Sequence, residues 1–192
     1  MSDYKKKQER RQLENNIKRN DRSVEGYAVV FNSQSENLGG FVEIIHPEAI
    51  TEETINESDV LARFNHNDEK VLARSKKGKG SLTLSLDERG LHYSFQAPRT
   101  ALGDELLEYI ERGDINASSF CFTIAEGGEK WVRENEQLVR HIYKIERLYD
   151  IAPVFTPAYE ATTCSARALE RVQAIEMLEE TLNNLLQEVE EM

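Results

Sequence analysis

Apolar residues recur at every second position in a series of short runs along this chain, and at every third or fourth position in only two stretches. Strict alternation through Ser81-Leu82-Thr83-Leu84-Ser85-Leu86 is the period of a half-buried strand. Asp87 to Gly90 reads as a hairpin connection, and Leu91 to Gln96 returns as its partner. Upstream, Val24 to Phe31 is rich in β-formers and predicts a strand, Asn32 to Gly40 is a loop by composition, and Phe41 to Ile45 is a second strand. That strand stops at His46-Pro47, where proline cannot continue a ladder. Glu48 to Asn56 predicts a short helix or turn. Val60 to Asn65 is a strand that delivers His66 at its end, and Val71 to Arg74 a shorter one before the basic turn Lys76 to Gly80.

The period changes after Pro98. Thr100 is placed to cap a helix whose apolar positions are Leu102, Leu106, Leu107, Tyr109 and Ile110, with Asp104 and Glu105 in its first turns and Arg112-Gly113 at its end. Alternation then resumes in Ser119 to Ala125. Glu126 to Glu129 is a hairpin turn, Trp131-Val132 begins a return, and Asn135-Glu136 turns again. Leu138 to Phe155 reads as one long β-like run with Ile142, Leu148, Ile151 and Val154 inward. Short strands at regular spacing with one inserted helix predict an α+β fold, a mostly antiparallel β-barrel flanked by helices. At the end of the chain, Ile175, Leu178, Leu182, Leu185, Val189 and Met192 recur at steps of three and four. This seam fits a coiled coil, or a helix packing on the barrel or on a partner.

Charge divides the chain further. The net charge of −11 over 192 residues argues against a nucleic-acid binder as a whole, but its distribution is uneven. Residues 1–22 have a basic excess and no apolar periodicity, which predicts a disordered arm, whereas from Ala168 onward Arg171 is the one base among seven glutamates. The expected organisation is an arm at 1–22, a folded domain at 23–167 and an acidic helix at 168–192. No apolar run approaches the roughly 20 residues of a membrane span, and no secretory signal follows Met1, so an intracellular protein is expected. Cys121 and Cys164 are expected to be reduced, and the four histidines (His46, His66, His92, His141) lack zinc-site spacing. Neither a metal nor another cofactor is expected.

The chemistry concentrates in three segments. Ser118 and Ser119 stand where the helix gives way to a strand, His66 lies in Phe64-Asn65-His66-Asn67, and Asp150 lies in Leu148-Tyr149-Asp150-Ile151. A hydroxyl, an imidazole and a carboxylate on separate strands are the parts of an acyl-transfer site. Each has a plainer reading: a serine bonding its own backbone, a structural histidine, an acid facing Arg147 or Arg140. Cys121, alternating with Phe120 and Phe122, reads as a small core residue.

Taken together, Val60 to Asn67 with Val71-Leu72-Ala73-Arg74, the hairpin Ser81–Gln96, the helix ending Arg112-Gly113-Asp114-Ile115, Ser119-Phe120-Cys121-Phe122 and Leu148 to Ala158 resemble the capsid-maturation (prohead) proteases of tailed bacteriophages, relatives of the herpesvirus assemblins. The resemblance spans about residues 24 to 167. It implies His66 of the Asn65-His66 pair as general base and Ser119 as nucleophile, with Ser118 the alternative one residue away. Cys121 stands where the family has glycine. The family's Leu-x-Glu-Val-Ser strand falls on Leu148 to Ala152, so Asp150 replaces a glutamate as third member. Because the herpesvirus relatives use histidine there, His141 and Glu146 remain alternatives. Oxyanion donors are sought among backbone amides near Ser119 and at Arg167. The resemblance further implies an enzyme inside the assembling prohead, in the host cytoplasm, that cleaves major capsid protein, scaffold and its own termini. It raises a homodimer and implies neither nucleic acid nor membrane as partner. A different class of function on the same fold is a non-catalytic assembly module.

Overall fold

The computed structural model describes residues 8–13, 17–155 and the positions 169–170, 172–175, 177–178 and 181–182. In chain order the strands and helices are β1 (Glu9–Leu13), β2 (Lys18–Asn20), β3 (Ser23–Val30), β4 (Phe41–Ile45), α1 (Glu52–Glu57), β5 (Asp59–Arg63), β6 (Val71–Lys76), β7 (Lys79–Gly80), β8 (Leu82–Leu86), β9 (Gly90–Gln96), α2 (Ala101–Arg112), β10 (Ile115–Ile124), β11 (Glu129–Glu134), β12 (Gln137–Ile142) and β13 (Ile145–Phe155). A short 3₁₀ turn, Phe64–His66, follows β5.

The strands form three sheets among the described residues, ordered β1-β10-β13-β5-β6-β7, β11-β12-β4 and β2-β3-β9-β8. Most pairings are antiparallel, as alternation predicts, but β13 runs parallel to β5 and β12 parallel to β4. The α+β expectation holds, but among the described residues the strands are ordered in three sheets, and no closed barrel, around a shared apolar core that includes Val24, Tyr93, Leu106, Phe120, Phe122, Leu148 and Ile151.

Local chemistry accounts for the elements that frame the site. The Thr100 hydroxyl accepts from the Gly103 amide, which starts α2, and Gly113 ends it in the left-handed region at φ +80°. Leu106 and Leu107 are buried, holding α2 against the core just before β10. β10 is buried from Ala117 through Thr123, because strands cover both of its edges.

Two readings of the sequence are corrected here. The long run from Leu138 to Phe155 is two strands in different sheets, β12 and β13; between them the amides of Tyr143 and Lys144 both donate to the Gly128 carbonyl. The arm at 1–22 contains β1 and β2, with Glu9 and Arg11 buried. The Glu9 and Arg11 charges do not stay in water; they are paired inside the protein, while Arg10, Lys18 and Asp21 remain exposed. At the other end, the described positions between 169 and 182 are helical, and Ile175, Leu178 and Leu182 are exposed. Leu185, Val189 and Met192 lie outside the described residues.

Candidate active site

β10 carries Ser118 and Ser119 with opposite orientations, as the two-residue period of a strand requires. Ser118 turns toward the apolar core, where its hydroxyl is 2.7 Å from that of Tyr93, a phenol whose pKa burial pushes up. Ser119 turns to the other face. There its Oγ is 2.6 Å from His66 Nε2.

His66 reaches that point because β5 lies beside β13 and ends in the 3₁₀ turn. Asn65 and His66 both adopt positive φ, +51° and +56°. For residues with a Cβ this conformation costs on the order of 1–3 kcal/mol each. It is held by short-range bonds from the Asn67 amide to the Phe64 carbonyl, from the Phe64 amide to the Lys70 carbonyl, and from the Lys70 amide to the Asn67 carbonyl. The turn aims the imidazole back at the sheet.

Asp150 projects from β13, in register with Cys121 on one side and Leu61 on the other. Its Oδ1 is 2.5 Å from His66 Nδ1, and Arg63 Nη1 donates to its Oδ2 at 3.1 Å. An ionised carboxylate only accepts hydrogen bonds, so the Nδ1–H of His66 points at Asp150 and leaves Nε2 as an acceptor for the Ser119 hydroxyl. The chain is thus Arg63–Asp150–His66–Ser119. Asp150 is 1% exposed and Ser119 0%, while the His66 side chain retains 10%.

The remaining candidates stand elsewhere. His141 belongs to the three-stranded sheet, with Nδ1 2.9 Å from His46 Nε2 and Nε2 3.0 Å from Glu134 Oε1. Glu146 is exposed near the start of β13 and accepts from Thr123 Oγ1 at 3.4 Å. Arg167 lies outside the described residues. Cys121 is buried in β10, and burial first, then the nearby Asp150 charge, pushes its thiol up to about 11. At neutral pH it is a poor nucleophile.

Sequence reasoning missed Arg63. Its guanidinium bridges Asp150 to Asp68, 2.9 Å away, and so holds the far oxygen of the carboxylate. The signal available was an arginine three residues before the histidine, which alternation alone assigns to solvent.

It also missed a second cluster on the opposite face of β10. Arg11 grips Glu43 with two bonds, Nε to Oε1 at 2.7 Å and Nη2 to Oε2 at 2.6 Å. Arg140 grips Glu9 likewise, at 2.6 and 2.9 Å, and also bonds Glu43 at 3.1 Å and pairs with Glu129. Burial alone would raise the Glu9 pKa, but Arg140 and Arg11 outweigh it and hold the carboxyl below its ordinary range.

A family model described as caudovirus prohead serine protease matches residues 6–177. No curated protein matches the chain in sequence. Among solved structures, the capsid assembly protease of bacteriophage T4 is similar in fold, with a TM-score of 0.52 at 12% identity over 80% of this chain and 99% of that one.

Proposed function

Because the chain belongs to the caudovirus prohead serine protease family, we propose that it is a serine endopeptidase of capsid maturation with Ser119 as nucleophile, His66 as general base and Asp150 as the residue that orients it. The observation that supports this most is the unbroken chain of short contacts from Asp150 through His66 to Ser119, drawn from segments 53 and 84 residues apart in sequence.

The reaction follows from that order. His66 Nε2 takes the proton as Ser119 Oγ attacks the carbonyl carbon of the scissile peptide, and the carbonyl π pair moves to oxygen. The imidazolium then gives the proton to the leaving nitrogen as the C–N bond breaks. Water, deprotonated by the same imidazole, hydrolyses the acyl-enzyme and returns the proton. Asp150 fixes the tautomer and stabilises the imidazolium without taking its proton. Arg63 keeps the carboxylate turned toward the ring.

The substrates proposed are the major capsid protein, the scaffold and the chain's own termini, cut inside the assembling prohead of the infected cell. The likeness of fold to a capsid assembly protease supports that setting. The test is intact mass of the full chain with capsid protein and scaffold present, wild type beside Ser119→Ala and Ser118→Ala. Cleavage by wild type and Ser118→Ala but not Ser119→Ala is expected; cleavage by none of the three would turn the reading to a non-catalytic assembly module.

A further inference from the structure

The nucleophile of the proposed site is completely buried, and the described segment lying along its strand is the chain's own N-terminal strand. β1 runs antiparallel to β10 with Gln12 in register with Ser119, Leu13 with Ser118, Arg11 with Phe120 and Glu9 with Phe122. An extended peptide presented to Ser119 for cleavage needs a backbone position beside that residue. β13 holds one edge of β10. The other edge is where β1 sits.

Resting on the triad reading above, we propose that this edge of β10 is the protease's peptide-binding groove, filled here by Glu9–Leu13, and that it takes extended peptides bearing an acid and, two residues later, an arginine. In an antiparallel pair, residues in register share a face. Positions 9, 11 and 13 therefore face away from the catalytic side, and position 12 comes level with Ser119. The floor beneath positions 9 and 11 is specific. Glu43 offers both oxygens to the Arg11 guanidinium, which also lies over the Phe122 ring, and Arg140 offers two donors to the Glu9 carboxylate. Such bidentate pairs select geometry as well as charge.

The floor is also preformed. Glu43 and Arg140 are in register on neighbouring strands β4 and β12, bond each other at 3.1 Å, and Arg140 keeps Glu129 when β1 is gone. To that floor β1 brings one positive charge, Arg11, and one negative, Glu9, so it leaves without stranding a lone charge there. Recognition is then by strand addition: main-chain bonds to β10 provide attachment, and alternate side chains provide selection. While β1 is seated, substrate must displace it.

The test uses the full chain carrying Glu9→Gln and Arg11→Gln together, beside wild type, with a peptide of residues 6–16 (Lys-Lys-Gln-Glu-Arg-Arg-Gln-Leu-Glu-Asn-Asn) as the probe. Hydrogen exchange reports occupancy of β10, and the rate of Ser119 modification by a fluorophosphonate reports access. In the double variant, those β10 amides between Ser118 and Phe122 that point to β1 should exchange at least tenfold faster than in wild type, those that point to β13 should not, and Ser119 should react at least tenfold faster. Adding the peptide should reverse both changes, whereas the same peptide with glutamine at positions 9 and 11 should reverse neither. Equal exchange of β10 in variant and wild type, or no protection by the charged peptide, would overturn the proposal. So would faster exchange throughout β3, β9 and β13, because β1 would then be an integral strand. Peptide protection of β10 with no Ser119 adduct in any sample would leave the groove standing and count against the triad.

Discussion

Two buried polar clusters lie on opposite faces of β10, and they are built on opposite rules. On one face Arg63, Asp150, His66 and Ser119 form a line that ends at a hydroxyl whose proton can leave. On the other, Glu9, Arg11, Glu43 and Arg140 form a closed ring in which each acid meets both bases. A line has an open end, and in the proposed reaction the proton moves only there, between Ser119 and His66, while Asp150 stays an acceptor. A closed ring spends its charges on one another, so it seats the strand that supplies half of it. Burying charge is expensive in either case, and an arrangement persists only when every group is paired.

Breaking the line should give the largest effects. Ser119→Ala should lower peptide-bond cleavage by about four to six orders of magnitude, read as the rate of capsid-protein processing, with the fold intact by circular dichroism. Asp150→Asn keeps the shape but favours the wrong imidazole tautomer, and a loss on the order of 10⁴-fold is expected in the same assay. An effect below tenfold would show that the carboxylate is structural.

Breaking the ring should act on stability instead. Arg140→Met leaves the buried Glu9 and Glu43 carboxylates sharing Arg11 alone, one base for two acids, and a loss of about 3–5 kcal/mol is expected in urea unfolding. A loss under 1 kcal/mol would mean that the ring is not sealed from water. Arg63→Gln tests the borderline between the two clusters: it touches the line but not the reacting atoms, so roughly a tenfold fall in kcat, about 1.4 kcal/mol in the barrier, is expected with KM unchanged.

The smallest effect concerns pH. Glu9 is held below its ordinary value of 4.5 in the folded protein. A depressed carboxyl contributes stability that is present above its unfolded pKa and lost as pH falls through the folded one. The stability difference between wild type and Glu9→Gln should therefore be constant from pH 7 to about 5 and shrink below about 4.5. A difference that grows on acidification would contradict the pairing.

The contrast also explains what was legible in the sequence. Alternation in Leu82–Leu86 and the helix period ending at Gly113 depend on neighbours a few residues apart, and both match the structure. Ser119, His66 and Asp150 were nameable as candidates because each sits in a local motif, and the structure brings the three into contact. The choice among Asp150, Glu146 and His141 was not, because it depends on where one strand ends. Once Tyr143 and Lys144 divide the run, His141 falls in another sheet. The ring was invisible for a related reason: Glu9 and Arg140 are 131 residues apart, and a charged segment without its partners reads as a solvated arm.

The central claim is that Ser119 is the activated hydroxyl. It is tested most directly by prolonged exposure of the full chain to a fluorophosphonate, followed by digestion and mass mapping of the adduct. A single adduct on Ser119, absent in His66→Ala, is the predicted result. An adduct on Ser118 or Cys121, or one on Ser119 that survives loss of His66, would contradict it.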